Sequence, residues 1–207
     1  MKTNISIYLA GSIKKGHEQT ESVWTEEHMA EIRENLKGCE VLFLNPAFRT
    51  DNLSDQRSVF GRDMVQVFCS DVVFVDARDR RGLGVGAEMM WAKLNHIPVV
   101  TWAPKDSHYH KSHTTILGVP VVNFVHPFVE SLSDQLVENP AAGAEWIAKA
   151  LSDPSIPIKG LKEIESSMHY YREGQFQHDE PMKELLLSSE ALKKRLHSLK
   201  VTQASRV

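Results

Sequence analysis

Two carboxylates, Glu88 and Asp63, and the glycine-rich stretches around them carry the residue types and spacings in this chain that could do chemistry. Glu88 closes the run Gly82-Leu83-Gly84-Val85-Gly86-Ala87-Glu88, where an apolar strand-like segment should hand over to a helix. That spacing puts the glutamate in a first helical turn, where free N–H groups and the macrodipole favour the ionised form. An ionised carboxylate can attack carbon. The same residue also suits an ordinary helix start, which favours acids for the same reason. Asp63 follows Phe60 by three residues and precedes Val67 by four, beside the apolar stripe of a predicted helix. Partial desolvation there would let it hold a proton for a leaving group. The plain alternative is an ion pair with Arg62 or a nearby base.

The loops that would border such a pair are Ala10-Gly11-Ser12-Ile13-Lys14-Lys15-Gly16, the stretch around Asn45-Pro46, and Gly82 to Glu88. Glycine lets backbone approach a ligand closely, and the N–H groups opening the helix after Gly86 suit an anion; a simple tight turn needs the same residues. His108, His110 and His113 match no common zinc spacing, so a polar loop is expected there and no metal. Cys39 and Cys69 lie in apolar surroundings and read as buried free thiols.

The elements that must position these residues can be read from apolar periodicity. Ile5 to Leu9, Val41 to Leu44, Asp71 to Ala77, Val99 to Trp102 and Val119 to Val125 predict five strands. Helical spacing appears in Met29, Ile32 and Leu36, in Phe60, Met64, Val67 and Phe68, after Gly86, and from Ala141 to Leu151. Alternation with short connections predicts a doubly wound parallel five-stranded sheet, with ligands beyond the carboxyl ends of its strands. From residue 154 to 207 the sequence turns charged and helix-favouring, including Leu185 to Leu199, which predicts a helical C-terminal extension to a catalytic domain of residues 1–153.

Composition narrows the function classes. The 207 residues are 42% hydrophobic and 25% charged with a formal net charge of −3, an ordinary globular balance without the basic excess of a polymer binder. A small ligand is expected, with no nucleic acid polymer and no membrane partner. No apolar run approaches the ~18 residues of a membrane span, and a cytoplasmic location is expected.

Ile7-Tyr8-Leu9-Ala10-Gly11-Ser12-Ile13, Asp63, Ser70-Asp71-Val72-Val73-Phe74-Val75 and Gly82-Leu83-Gly84-Val85-Gly86-Ala87-Glu88 occur in an order and spacing that resemble the nucleoside 2-deoxyribosyltransferase family, across roughly the first 105 residues. The likeness is greatest to its branch of 2′-deoxynucleoside 5′-monophosphate N-glycosidases. It implies a flavodoxin-like or Rossmann-like three-layer sandwich, assembled as a homodimer or higher homo-oligomer with shared sites. It implies Glu88 as nucleophile, Asp63 as acid/base and Tyr8 beside the nucleophile. Gly11, Ser12, Ile13, Lys14 and Gly16 match the first ligand loop, Gly82, Gly84 and Gly86 the phosphate side, and residues 107–115 the region where a neighbour contributes contacts.

This chain departs from the family pattern in three places. Arg81-Gly82-Leu83 stands where the transferases carry Asp-Gly before Ser or Thr, Gly82 where the hydrolase branch often has serine, and Lys14 where that branch often has arginine. Lysine keeps the charge and loses the bidentate fork. The expected reaction is a retaining cleavage of the N-glycosidic bond of a deoxyribonucleoside or its 5′-monophosphate, by transfer to a base or to water, without a cofactor. The rival is a nucleotide-binding or sensing module without turnover, since Gly82-x-Gly84-x-x-Ala87 also fits a dinucleotide fingerprint. That fingerprint belongs after a first strand, and here it follows the third.

Overall fold

The computed structural model describes residues 3–11, 13–15 and 20–198 of the chain. Its five-stranded sheet is entirely parallel and has the order β4-β1-β5-β6-β9. These strands are β1 (Thr3–Ala10), β4 (Cys39–Leu44), β5 (Val72–Asp76), β6 (Val99–Trp102) and β9 (Gln135–Val137). Two antiparallel hairpins stand outside it: β2 (Ile13–Lys15) with β3 (Thr20–Ser22), and β7 (His110–Ile116) with β8 (Val119–Val125). The helices of this part are α1 (Glu26–Asn35), α2 (Gln56–Phe68), α3 (Leu83–Leu94), α4 (Pro127–Leu132) and α5 (Pro140–Ser152). The architecture is the Rossmann-like α/β fold.

Period-two alternation along β1 sorts its side chains between the two layers. Ile5, Ile7 and Leu9 join Met29 and Ile32 of α1 and Ile147 of α5 in one buried core. Tyr8 therefore projects to the opposite layer, toward α2 and α3. On the first face α5 approaches the sheet so closely that a Cβ on Gly143 would lie 2.1 Å from Phe74 Cζ. The far end of α3 is tied down by a buried ion pair between Lys93 and Asp134. Asp134 also accepts hydrogen bonds from the backbone of Val99 and of Lys159. The β1/β5 boundary is where the strand order reverses, because the chain returns from β4 at one edge to pair β5 on the other side of β1. A crevice at the carboxyl ends follows from that reversal.

Three sequence expectations need correction. Val119 to Val125 is a strand, but of the β7–β8 hairpin; the fifth strand of the sheet is the short β9, whose three residues give little periodicity to read. The α2 stripe is also not a buried one. Val67 is buried, while Phe60 and Phe68 are about three-fifths exposed. Cys39 is half-buried and Cys69 exposed, against the expectation of two buried thiols.

The chain forms two compact units, residues 1–159 and 160–207. The second contains α6 (Leu161–Tyr170), a π-helical and a 3₁₀ turn over 171–178, α7 (Glu180–Leu187) and α8 (Glu190–His197). Within it Tyr171 donates to Asp179 at 2.6 Å, and Asp179 accepts from Met182 N–H to cap α7. Among the described residues no helix is long and apolar enough to cross a membrane.

Candidate active site

Glu88 sits on α3 facing β1, and the Tyr8 hydroxyl donates to its Oε1 at 2.8 Å. Helix α3 begins at Leu83, with Gly82 as an N-cap that makes no side-chain bond. Glu88 is therefore the sixth helical residue, in the second turn, and not in the first turn that the sequence predicted. It is also buried, at 7% exposure, and Oε2 has no hydrogen-bond partner among the described residues. Helix-start stabilisation fades within a turn, so burial dominates. Desolvation raises the Glu88 pKa to about 7, assisted by the charge of Asp63 and opposed by the Tyr8 hydrogen bond. Tyr8 is wholly buried, and burial together with the adjacent Glu88 charge pushes its ionisation far above the ordinary phenol range. It stays a neutral donor.

Asp63 is half-way down α2, which Asp55 caps by accepting from Arg57 and Ser58 N–H. Its Oδ1 lies 3.3 Å from Arg49 Nη1 and 3.5 Å from Arg62 Nη1. The ion pair posed as the plain alternative is thus formed, with two arginines. Burial nonetheless raises the Asp63 pKa, outweighing the pull of Arg49 and then Arg62. The Asp63 charge reaches Glu88 and contributes to raising its pKa.

Arg49 was not anticipated from sequence. Its side chain is 3% exposed and holds Asp51 through Nε at 2.8 Å and Nη2 at 2.7 Å while Nη1 reaches Asp63. The signal available was its place just beyond Asn45-Pro46 at a strand end. There Asn45 Oδ1 accepts from Ala47 N–H and turns the chain toward α2. A second buried acid, Asp76, ends β5. Burial works to raise its pKa, but the Arg78 hydrogen bonds and the Arg81 charge together hold it below the usual carboxylate range. Arg81 Nη2 lies 2.8 Å from Asp76 Oδ1, and Arg78 stacks over Trp102 with its guanidinium carbon 3.7 Å from the ring centroid.

The glycines divide between two places. A Cβ on Gly84 would come within 4.0 Å of Glu88 Oε1, so this glycine borders the carboxylate. Gly82 and Gly86 instead line a cavity on the other side of α3, whose lining includes neither Tyr8, Asp63 nor Glu88. Because the helix starts at Leu83, its free N–H groups are those of residues 82–85, and the N–H of Gly86 lies beyond them. Gly11 is held by packing: a Cβ there would lie 2.6 Å from Val23 Cγ2, and Trp24 Nε1 donates to the adjoining Ala10 carbonyl at 3.0 Å. Ser12 and Gly16 lie outside the described residues, and Ile13 and Lys14 are described as backbone of β2 alone.

No protein-family model matches the chain, and no curated protein matches it. Among solved structures, the solution structure of BlsM is similar at 18% sequence identity and a TM-score of 0.38, covering 75% of this chain and 98% of BlsM.

Proposed function

We propose that the chain is an enzyme that cleaves the N-glycosidic bond of a 2′-deoxyribonucleoside or its 5′-monophosphate. The observation that carries this reading is the buried Glu88, with one oxygen held by Tyr8 and the other unpartnered. Such an oxygen is oriented and poorly solvated, as a nucleophile toward a sugar carbon should be. The resemblance of the surrounding motifs supplies the substrate class.

In the first step Glu88 bonds to the anomeric carbon as the carbon–nitrogen bond breaks. The departing base takes the bond's electron pair and the Asp63 proton. In the second, water attacks the same carbon, gives its proton to the Asp63 carboxylate and frees Glu88; a second base does the same through its N–H. The raised pKa of Asp63 supports the acid role, while Arg49 and Arg62 favour its ionised state in the return step. Tyr8 orients Glu88 and stabilises its charge when the sugar leaves. Gly84 keeps the space beside Glu88 free of a side chain.

A homodimer or larger homo-oligomer belongs to the same proposal. Phe60, Val65 and Phe68 of α2 and Trp91 and Leu94 of α3 leave large apolar side chains exposed on two neighbouring helices. A cytoplasmic location is part of it too.

The deciding experiment incubates the protein with each deoxynucleoside and its monophosphate, with and without a second base, and separates the products by chromatography. Free base, or an exchanged nucleoside, is the expected product. Binding of substrate without any release would establish a binding module instead.

A further inference from the structure

We propose that the cavity bounded by α3, α4 and the open end of the β7–β8 hairpin is a second binding site, for a small neutral aromatic molecule. The cavity measures about 350 Å³, within the size of small-molecule sites. Its walls are Val75 and Ala77 at the end of β5, Val85 and Met89 on α3, and Val129 and Leu132 on α4. Leu83 and Phe128 flank its mouth with 97% and 70% of their surfaces exposed.

The aromatic class follows from the rings at the hairpin's open end. Tyr109 and His126 also line the cavity, and their backbones are joined by a 2.8 Å hydrogen bond. The two rings meet edge to face at 5.4 Å, and His126 continues to Phe128 at 6.0 Å, so a further ring extends an existing row. Met89 and Met90 add thioethers that adapt to an aromatic face.

Neutrality follows from the one charged residue in the lining. Arg81 is engaged with Asp76, so the charge is matched within the protein and an anion would compete with a buried carboxylate.

The site is independent of the Glu88 reading, and its test needs no catalysis. The whole chain is labelled with ¹³C-methyl methionine and titrated by NMR with two neutral aromatic probes, phenol and toluene. Met89 and Met90 should shift and saturate with both probes, while Met29, buried 3% exposed in the opposite layer, stays still. His126→Ala, which removes the middle ring of the row, should weaken both probes. Gly86→Leu should abolish both, because a Cβ at Gly86 meets nothing within 4 Å and the side chain has open space to occupy. Met90→Trp is the second filling variant should the first fail to fold. Absent or unsaturable shifts, shifts shared by Met29, binding that survives filling, or unchanged binding of both probes in His126→Ala would each overturn the proposal. So would Met89 and Met90 signals that move with protein concentration alone, which would place a second copy of the chain over the cavity.

Discussion

Tyr8 and Glu88, eighty residues apart, meet through a 2.8 Å hydrogen bond in the buried layer between β1 and α3. The sheet makes the meeting possible: Ile7 and Leu9 are drawn into the core on one face, and the strand alternation then commits Tyr8 to the other. On α3, Gly84 leaves the space beside the carboxylate clear. The pair is a neutral donor fixed on a carboxylate whose pKa burial raises to about 7.

Tyr8→Phe removes the one interaction that lowers the Glu88 pKa. Titration of the Glu88 carboxyl, followed by its ¹³C shift, should move upward from about 7 by roughly 0.5–1 unit. Well above both midpoints Glu88 is ionised in both proteins. A loss of activity with no movement of that titration would show that Tyr8 acts only by packing or by binding substrate.

Asp63→Asn keeps the size of the side chain and removes the transferable proton. Turnover of substrates with poorly leaving bases should fall ~10²–10⁴-fold, and a substrate with an activated leaving group should lose far less. Because burial raises the Asp63 pKa, the acid form persists above the ordinary carboxylate range. The limb of the rate profile that Asp63 sets should therefore vanish in the variant. Equal loss across leaving groups would assign Asp63 to the Arg49 and Arg62 ion pairs alone.

Residues that announce themselves by local pattern were legible in the sequence. The apolar runs marking β1, β4, β5 and β6 located those strands, the spacing of glycines and carboxylates singled out Glu88 and Asp63, and the family resemblance alone pointed to Tyr8. What escaped depends on tertiary context. Glu88 reads as an exposed first-turn acid because nothing local shows that α3 starts at Leu83 or that Tyr8 covers the side chain. Arg49 looks like a loop residue until Asp51 and Asp63 converge on it. Strand β9 is too short to carry a period, and the exposed Phe60 and Phe68 form a stripe indistinguishable from a core stripe without knowing what covers them.

Gly143→Ala tests the close approach of α5 to the sheet. A helical Gly→Ala change is ordinarily favourable by ~1 kcal/mol. Here the added methyl meets the Phe74 ring at 2.1 Å, so overpacking should reverse the sign and destabilise by ~1–3 kcal/mol. Denaturant unfolding measures this directly, and Phe74→Leu in the same chain should restore part of the loss. A stabilised Gly143→Ala protein would mean that α5 does not sit against Phe74 as described.

Glu88→Gln should abolish cleavage and, at the same time, make stability less dependent on pH. The Glu88 pKa rises from 4.5 to about 7 on folding, so the folded protein binds the proton more tightly than the unfolded chain. The contribution of this group to stability is complete below pH 4.5, is lost as pH rises through about 7, and is constant above that. The loss across this window is roughly 3.5 kcal/mol at most, since each pKa unit corresponds to ~1.4 kcal/mol. Glutamine has the shape of the protonated acid and no charge to bury. The variant should therefore match the parent near pH 4.5 and exceed it by about 1–3 kcal/mol at pH 8, read from denaturant unfolding at the two pH values. An inactive variant with this crossover identifies a buried carboxylate that is held at the expense of stability for its chemistry. A stability difference of the same size at both pH values would show that Glu88 ionises as freely in the folded protein as in the unfolded chain, and burial would no longer account for its pKa.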